Sequence, residues 1–344
     1  MSGSSLDGLD IAYCTFKHEK NKWQFNIKEA VTLKYEKKWL EKLRTAHTLS
    51  SEKLLQLHNE YGEYLGASVS SFMREKKIRK VDFVASHGHT IFHQPEKHFT
   101  FQIGNGAAIA AKCNLPVVND FRSLDVLLGG QGAPLVPIGD RLLFAEYEFC
   151  LNLGGIANIS YESKNKRLAF DVCPVNIVLN HLAGLLNKEY DKDGLIAASG
   201  KVDVKLLDSL NALNYYKQAF PKSIGREWVE EKFLPILNRS KISVKDKIAT
   251  VTEHIAMQIT KVLHGKKEKV LATGGGAFNK YLIQKIRKRT EVKVIVPAKQ
   301  VVNYKEALVF AFLGVLRWRG EVNCLESVTG ASKNNSGGSI YLLG

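Results

Sequence analysis

The sequence predicts an α/β protein of two domains. Three observations carry that reading. Strand-like and helix-like patterns alternate along the chain, the alternation restarts near residue 150, and each half opens with a glycine-containing turn next to a strand. At 344 residues and 45% hydrophobic content the chain can bury a large core, and its length suits two domains or one large one.

The elements follow in order. IAYCTF (11–16) and WQFNIKEAVTLKY (23–35) read as extended. Ser50 is placed to cap a long helix whose apolar positions Leu54, Leu57, Tyr61, Leu65, Val69 and Phe72 recur at spacings of three and four. VDFVAS (81–86) is a buried strand, NGAAIAAKC (105–113) a helix and LPVVNDF (115–121) extended. CLNLGGIANISY (150–161) then reads as strand, glycine turn and strand, extended by AFD (169–171). Helices are expected at 174–187, 203–213, 227–238 and 246–264. The strand KVLAT (269–273), the triplet Gly274, Gly275 and Gly276, a helix from Asn279, the strand VKVIV (292–296) and a last helix over 304–319 complete the chain. Domains are expected at 1–145, which part of 320–344 can join, and at 146–319. The similar openings suggest a structural duplication, although the two halves share little sequence.

Composition removes several function classes. No window has the roughly eighteen or more apolar residues of a membrane span, and no secretory h-region opens the chain. The five cysteines are scattered without a CxxC pair, which suits reduced thiols and a cytoplasmic address. The net charge of +15 is carried on amphipathic stretches such as 34–44 and 280–289, with no nucleic-acid-binding signature. It reads as a solvated face that would also attract small anions.

The glycine turns carry the chemistry. Glycine lets a backbone approach a ligand closely and aim successive N–H groups at phosphate oxygens. Each turn taken alone reads first as a tight β-turn. Two hairpin turns followed by a strand-GGG-helix unit form a set that could grip a polyphosphate from several sides, with a helix N-terminus adding its dipole. There is no GxxxxGK[ST], and GNGAAI (104–109) is too incomplete for a dinucleotide fingerprint.

MSGSSLDGLD, ASHGHTIFHQP, TFQIGNGAAIA, VVNDFRSLDVLLGGQGAPLVP, LNLGGIANIS, FDVCPVN, YDKDG, PKSIGRE, ATGGGAFN, EALVFAFL and VTGAS, in this order over essentially the whole chain, closely resemble the anhydro-N-acetylmuramic acid kinase family. The resemblance implies the actin, Hsp70 and sugar-kinase fold, two ribonuclease-H-like α/β domains around a cleft, and generally a homodimer. It implies ATP with Mg²⁺ as cofactors and an anhydro amino sugar as partner. It also places a short hydrophobic strand ahead of the MSGSSLDG turn, so the chain is expected to start one strand late, and it puts Ser4 where relatives have Thr.

The reaction implied by the resemblance opens the 1,6-anhydro bond of N-acetylmuramic acid with water and phosphorylates O6, a step in peptidoglycan recycling. By motif position Asp171 is the catalytic base, while an Asp before a proline-containing helix start also reads as a simple N-cap. ATP is implied at Gly3, Ser4, Ser5, Asp7, Gly8, Asp10, Gly154, Gly155, Gly274, Gly275, Gly276 and Asn279. Asp7 or Asp10 would reach Mg²⁺ through water, with no direct metal ligand. Thr90, Arg122 and Glu306 are implied around the sugar. A guanidinium forks onto carboxylates, so Arg122 suits a lactyl carboxylate, and its structural alternative is an ion pair with Asp120 or Asp125. Lys222 and Arg226 match the family without a physical role.

One departure stands out. Relatives read Asp-Thr-Gly-Pro-Gly-Asn where this chain has Asp171-Val172-Cys173-Pro174-Val175-Asn176, so bulkier residues replace two glycines beside the implied base. Crowding of the phosphates, or strain at a position needing positive φ, is the expected consequence if those side chains face the ligand. That leaves two alternatives, a non-catalytic or altered-specificity sugar or nucleotide binder, and a metal-dependent hydrolase built on His87, His89 and His93.

Overall fold

A computed structural model describes residues 1–3, 6–219, 222–265 and 268–343. Ser4 and Ser5 lie outside the described residues. The chain divides into two compact units, Met1–Leu143 with Tyr304–Gly344, and Phe144–Asn303.

The first unit opens with an antiparallel hairpin of β1 (Leu9–Glu19) and β2 (Lys22–Leu33). Lys20 and Asn21 between them have φ of 48° and 59°, the two left-handed positions of a tight turn whose twist matches the strands. Helix α1 (Ser51–Glu75) begins after Ser50 as expected, but the Ser50 hydroxyl makes no capping bond. Its Tyr61 and Leu65 pack with Leu9, Ile103, Ile109 and Val117 in the core. After β3 (Val84–Ser86) comes a second hairpin, β4 (His89–Gln94) and β5 (Phe99–Ile103), turned at His98 with φ of 57°. The expected helix is α2 (Gly106–Cys113), started by the Asn105 side chain accepting from Ala107 N at 2.9 Å. Strand β6 (Val117–Asn119) runs parallel to β3 and antiparallel to the late strand Ser339–Tyr341.

Among the described residues the strands of this unit thus form three small sheets. β1 pairs with β2 alone and β3 with β6 alone, and a cavity of about 640 Å³ is lined by Ala12, Cys14, Phe72, Val84 and Phe310 among others. Asp125, fully buried, ties two segments together. Its carboxylate accepts from Gly132 N at 2.8 Å and from Cys324 Sγ, Thr329 Oγ1 and Asn335 Nδ2 at 2.9 Å each, so the 129–132 turn and the 324–335 segment share one anchor.

The second unit is built on a five-stranded sheet of β7 (Phe149–Leu153), β8 (Ile156–Ser163), β9 (Lys166–Pro174), β10 (Lys269–Thr273) and β11 (Lys293–Ile295). The order is β11-β10-β7-β8-β9, with β7, β8 and β9 antiparallel and β10 and β11 parallel to β7. Three meandering strands followed by two parallel crossovers is the ribonuclease-H-like topology. Helix α3 (Asn176–Gly184) follows β9, and α4 (Val244–Val262) buries Ile248, Val251, Ile255 and Ile259 at spacings of three and four. Helix α5 (Lys280–Arg287) lies between β10 and β11, and α6 (Lys299–Trp318) follows them in the chain, belonging to the first unit from Tyr304 onward. The helix expected over 227–238 forms as Arg226–Trp228 and Leu234–Arg239, joined by a π-helical turn at Val229–Phe233.

Candidate functional site

In the second unit two glycine turns meet. The β7–β8 turn holds Gly154 and Gly155, and Gly274, Gly275 and Gly276 follow β10. Gly274 has φ of 79°, and a Cβ there would stand 2.5 Å from Asn152 Oδ1 and 2.8 Å from Leu153 C, so only glycine fits. Gly155 and Gly275 are open instead: the nearest atoms to an added Cβ are Ile177 Cβ at 3.9 Å and Asn176 Nδ2 at 3.8 Å. Gly275 begins a 3₁₀ turn, Gly275–Phe278, whose first amides have no intrahelical acceptor. The result is a floor of bare backbone with room above it, suited to phosphate oxygens. Asn176 closes one side by donating from Nδ2 to Leu153 O at 3.1 Å. Asn279 Oδ1 is taken as the cap of α5, accepting from Leu282 N at 2.9 Å, so its carbonyl oxygen serves the fold. The start of α3 is likewise occupied, with Val175 N donating to Gly155 O at 2.8 Å and Asn176 N to Gly154 O at 3.3 Å.

Asp171 sits at a register shift in β9. Asn158 pairs with Asp171 and Ala157 with Cys173, which leaves Val172 as the extra residue of a bulge. On the open edge of β9 Asp171 meets other residues: its N–H donates to Lys222 O at 3.1 Å, its Oδ2 accepts from Ile224 N at 3.0 Å, and its C=O accepts from Tyr215 Oη at 2.5 Å. Burial raises the Asp171 carboxyl above the ordinary range, and the Ile224 N–H opposes that rise. Asp171 therefore does not cap α3, whose N-cap position is Val175.

The bulky residues beside it point inward. Val172, Cys173 and Val175 belong to the hydrophobic core at 3%, 0% and 0% exposure. None has positive φ, and Val175 has φ of −126°. The glycines that relatives carry at two of these positions are not demanded by the backbone here, and the larger side chains do not occupy the space over the turns.

In the first unit a polar group gathers around Arg122. Its Nε donates to His87 Nε2 at 3.0 Å and its Nη1 to Gly132 O at 2.6 Å, while the guanidinium lies 5.7 Å from the Phe310 ring centre. Arg122 makes no ion pair with Asp120 or Asp125 among the described residues; Asp120 accepts from Ser123 and Asp125 from the four donors above. Glu306 is densely surrounded yet reaches solvent. Those surroundings raise its carboxyl, and the nearby Arg122 charge opposes the rise. Asp10 Oδ1 accepts from Thr32 Oγ1 at 2.6 Å, and Asp7 is exposed. Thr90 lies on β4 at a register shift, across from Gln102. Gly8 has φ of 152°, and Gly3 O accepts from Leu6 N at 3.2 Å.

The histidines of HxHxxxH have separate partners. His87 Nδ1 bonds Gly88 O at 3.0 Å, His89 Nδ1 meets Ser2 Oγ at 2.9 Å, and His93 Nδ1 meets Thr100 Oγ1 at 3.1 Å. Among the described residues no three His, Cys, Asp or Glu side chains are grouped to hold a metal.

Against known proteins, the model of a family described as anhydro-N-acetylmuramic acid kinase matches residues 1–343. The chain belongs to the anhydro-N-acetylmuramic acid kinase family. It is 34% identical over 352 residues to the anhydro-N-acetylmuramic acid kinase of Shewanella sp. (strain ANA-3), covering 97% of this chain and 95% of that one. It is 33% identical over 361 residues to the protein of the same name from Francisella tularensis subsp. novicida, covering 96% and 94%. In this member of the anhydro-N-acetylmuramic acid kinase family, sequence reasoning passed over Asn152 and Asn176, which border the glycine turns, and Tyr215 and Ile224, which hold Asp171. The family-matching residues Lys222 and Arg226 separate. Lys222 reaches Asp171 through its carbonyl, whereas Arg226 is an exposed partner of Glu230 one turn along its helix at 2.7 Å.

Proposed function

We propose that this protein uses ATP and water to convert 1,6-anhydro-N-acetylmuramic acid to N-acetylmuramic acid 6-phosphate in peptidoglycan recycling. The family match over residues 1–343 carries this reading. In the proposed reaction Asp171 takes a proton from water as the water oxygen bonds to C1. The C1–O6 bond breaks, and O6 takes the γ-phosphoryl group of ATP while ADP leaves. A carboxylate with its pKa raised by burial is a better base than an exposed one, and the Ile224 N–H holds it in orientation. Oδ1 has no hydrogen bond among the described residues and is the oxygen offered to water.

ATP is assigned to Gly154, Gly155, Gly274, Gly275 and Gly276, with Asn279 supporting the triplet through its cap, and to Gly3, Ser4, Ser5, Asp7, Gly8 and Asp10. Mg²⁺ enters with the nucleotide, held through water by Asp7 or by the Asp10 oxygen that Thr32 leaves free. Arg122 is assigned to the lactyl carboxylate, with Thr90 and Glu306 as hydrogen-bonding partners of the sugar. The proposed setting is a cytoplasmic homodimer. Five scattered cysteines without a CxxC pair suit a reducing compartment, the dimer rests on the family resemblance, and no helix among the described residues is long and apolar enough to cross a membrane.

The test is Asp171→Asn, which keeps size and hydrogen bonding but removes the base. Turnover should fall roughly 10²- to 10⁴-fold while ATP binding persists. Turnover at the wild-type rate would refute the assignment.

A further inference from the structure

β9 is the edge strand of its sheet, so the Asp171 N–H and C=O that turn away from β8 have no ladder partner there. Here Tyr215, Lys222 and Ile224 supply partners instead, and the arrangement has two layers. The first is the set of three bonds to Asp171, from Tyr215 Oη, Lys222 O and Ile224 N. The second holds the first in place. Lys222 Nζ donates to Tyr215 O at 3.2 Å and lies 4.6 Å from the Tyr215 ring centre, so one lysine braces the tyrosine that holds Asp171. The Tyr215 ring is buried at 4% exposure and packs against Trp228 at 5.3 Å and Tyr216 at 5.6 Å, which leaves its hydroxyl a single direction. Ile224 N binds one carboxylate oxygen, fixing the rotation of the group and so the direction of Oδ1.

We infer that Tyr215 and Lys222 are positioning residues for the phosphorylating ring-opening reaction: Tyr215 Oη holds the Asp171 carbonyl, Lys222 holds Tyr215, and together they fix the line along which Oδ1 meets water. This inference rests on the assignment of Asp171 as the base. Neither side chain touches the carboxylate, so both act on its geometry. A misplacement of about 1 Å at a reacting group can cost roughly 10²-fold in rate.

The test uses Tyr215→Phe, which keeps the ring and removes only the hydroxyl, and Lys222→Met, which keeps the length and removes the charge. Lys222→Arg restores a cation and donor. Steady-state turnover, KM for both substrates and ATP affinity are measured for each, alone and combined with Asp171→Asn. The expected result is a kcat roughly 10- to 100-fold lower for Tyr215→Phe and Lys222→Met. ATP affinity should not change, and Lys222→Arg should recover part of the loss. The acidic limb of the kcat/KM profile should move to lower pH, because a loosened segment lets water reach a carboxyl that burial holds high. In the Asp171→Asn background the same changes should cost nothing further, since they act through Asp171.

If Tyr215→Phe does not fold, Lys222→Met carries the same decision. Normal kcat in either folded variant, with Asp171→Asn slow, overturns the positioning role and leaves the base assignment standing. Equal losses with and without Asp171→Asn also overturn it. Normal turnover by Asp171→Asn itself overturns the base assignment and the positioning role together.

Discussion

Arg122 and His87 are locked in one protonation pattern. His87 Nδ1 faces the carbonyl of Gly88 and must carry the proton, so Nε2 is the acceptor that Arg122 Nε meets at 3.0 Å. The arginine is thereby aimed by a neutral imidazole on one side and by Gly132 O at 2.6 Å on another.

Arg122→Lys tests the aim. A lysine keeps the charge but cannot make both bonds with a planar fork. Losing a charge-assisted contact to a carboxylate is worth about 1.5–3 kcal/mol, so kcat/KM for the anhydro sugar should fall roughly 10- to 100-fold. ATP affinity should be untouched. A parallel loss of ATP affinity would show that Arg122 does not serve the sugar.

His87 makes a pH prediction. Burial and then the Arg122 charge hold its pKa well below the ordinary value. The unfolded chain therefore binds this proton before the folded one, and stability is present in full above the unfolded pKa of about 6.5 and lost as pH falls below it. His58, His89, His93 and His254 are also lowered, His254 to about 3, and act in the same direction. Thermal midpoints should drop between about pH 7.5 and 5.5, and His87→Gln should shrink that drop by the share of one proton. Parallel curves for variant and wild type would refute it.

The adjacent glycines Gly274 and Gly275 should respond differently to alanine. At Gly274, positive φ and a methyl 2.5 Å from Asn152 Oδ1 make the change destabilising by at least about 1–2 kcal/mol. At Gly275 the methyl meets nothing closer than 3.8 Å, so the thermal midpoint should hold while ATP affinity falls, because the methyl would enter the space proposed for phosphate. Calorimetric melting and nucleotide titration of the two variants check the pair. Unchanged ATP affinity in Gly275→Ala would remove the triplet from the nucleotide site.

How far the sequence could be read depends on range. The strand-turn-strand at 150–161 and the triplet after KVLAT are local patterns of glycine and β-branched residues, and both elements form as read. The β4–β5 hairpin is not among the predicted elements, although HTIFHQ and FTFQI flank a Pro-Glu-Lys-His turn, because the two strands are short and carry a register shift that breaks their period. The Asp171 bulge has no local signal. The partners of Asp171, namely Tyr215, Lys222 and Ile224, lie more than forty residues away, and that is also why Lys222 matched the family without a legible role. For the replaced glycines the sequence left open which way the larger side chains face. Cys173 and Val175 would crowd the ligand only if they faced it, and their side chains, like that of Val172, pack into the core.

The central claim is that one catalysed event adds both water and a phosphoryl group to an anhydro sugar. The most direct measurement is mass spectrometry of the product formed from ATP, Mg²⁺ and 1,6-anhydro-N-acetylmuramic acid in ¹⁸O-labelled water. The account predicts a product heavier than the substrate by one phosphoryl group and one water, with the label on C1 and none in the phosphate. A phosphorylated product without the added water, label found in the phosphate, or no phosphorylated sugar at all would contradict it.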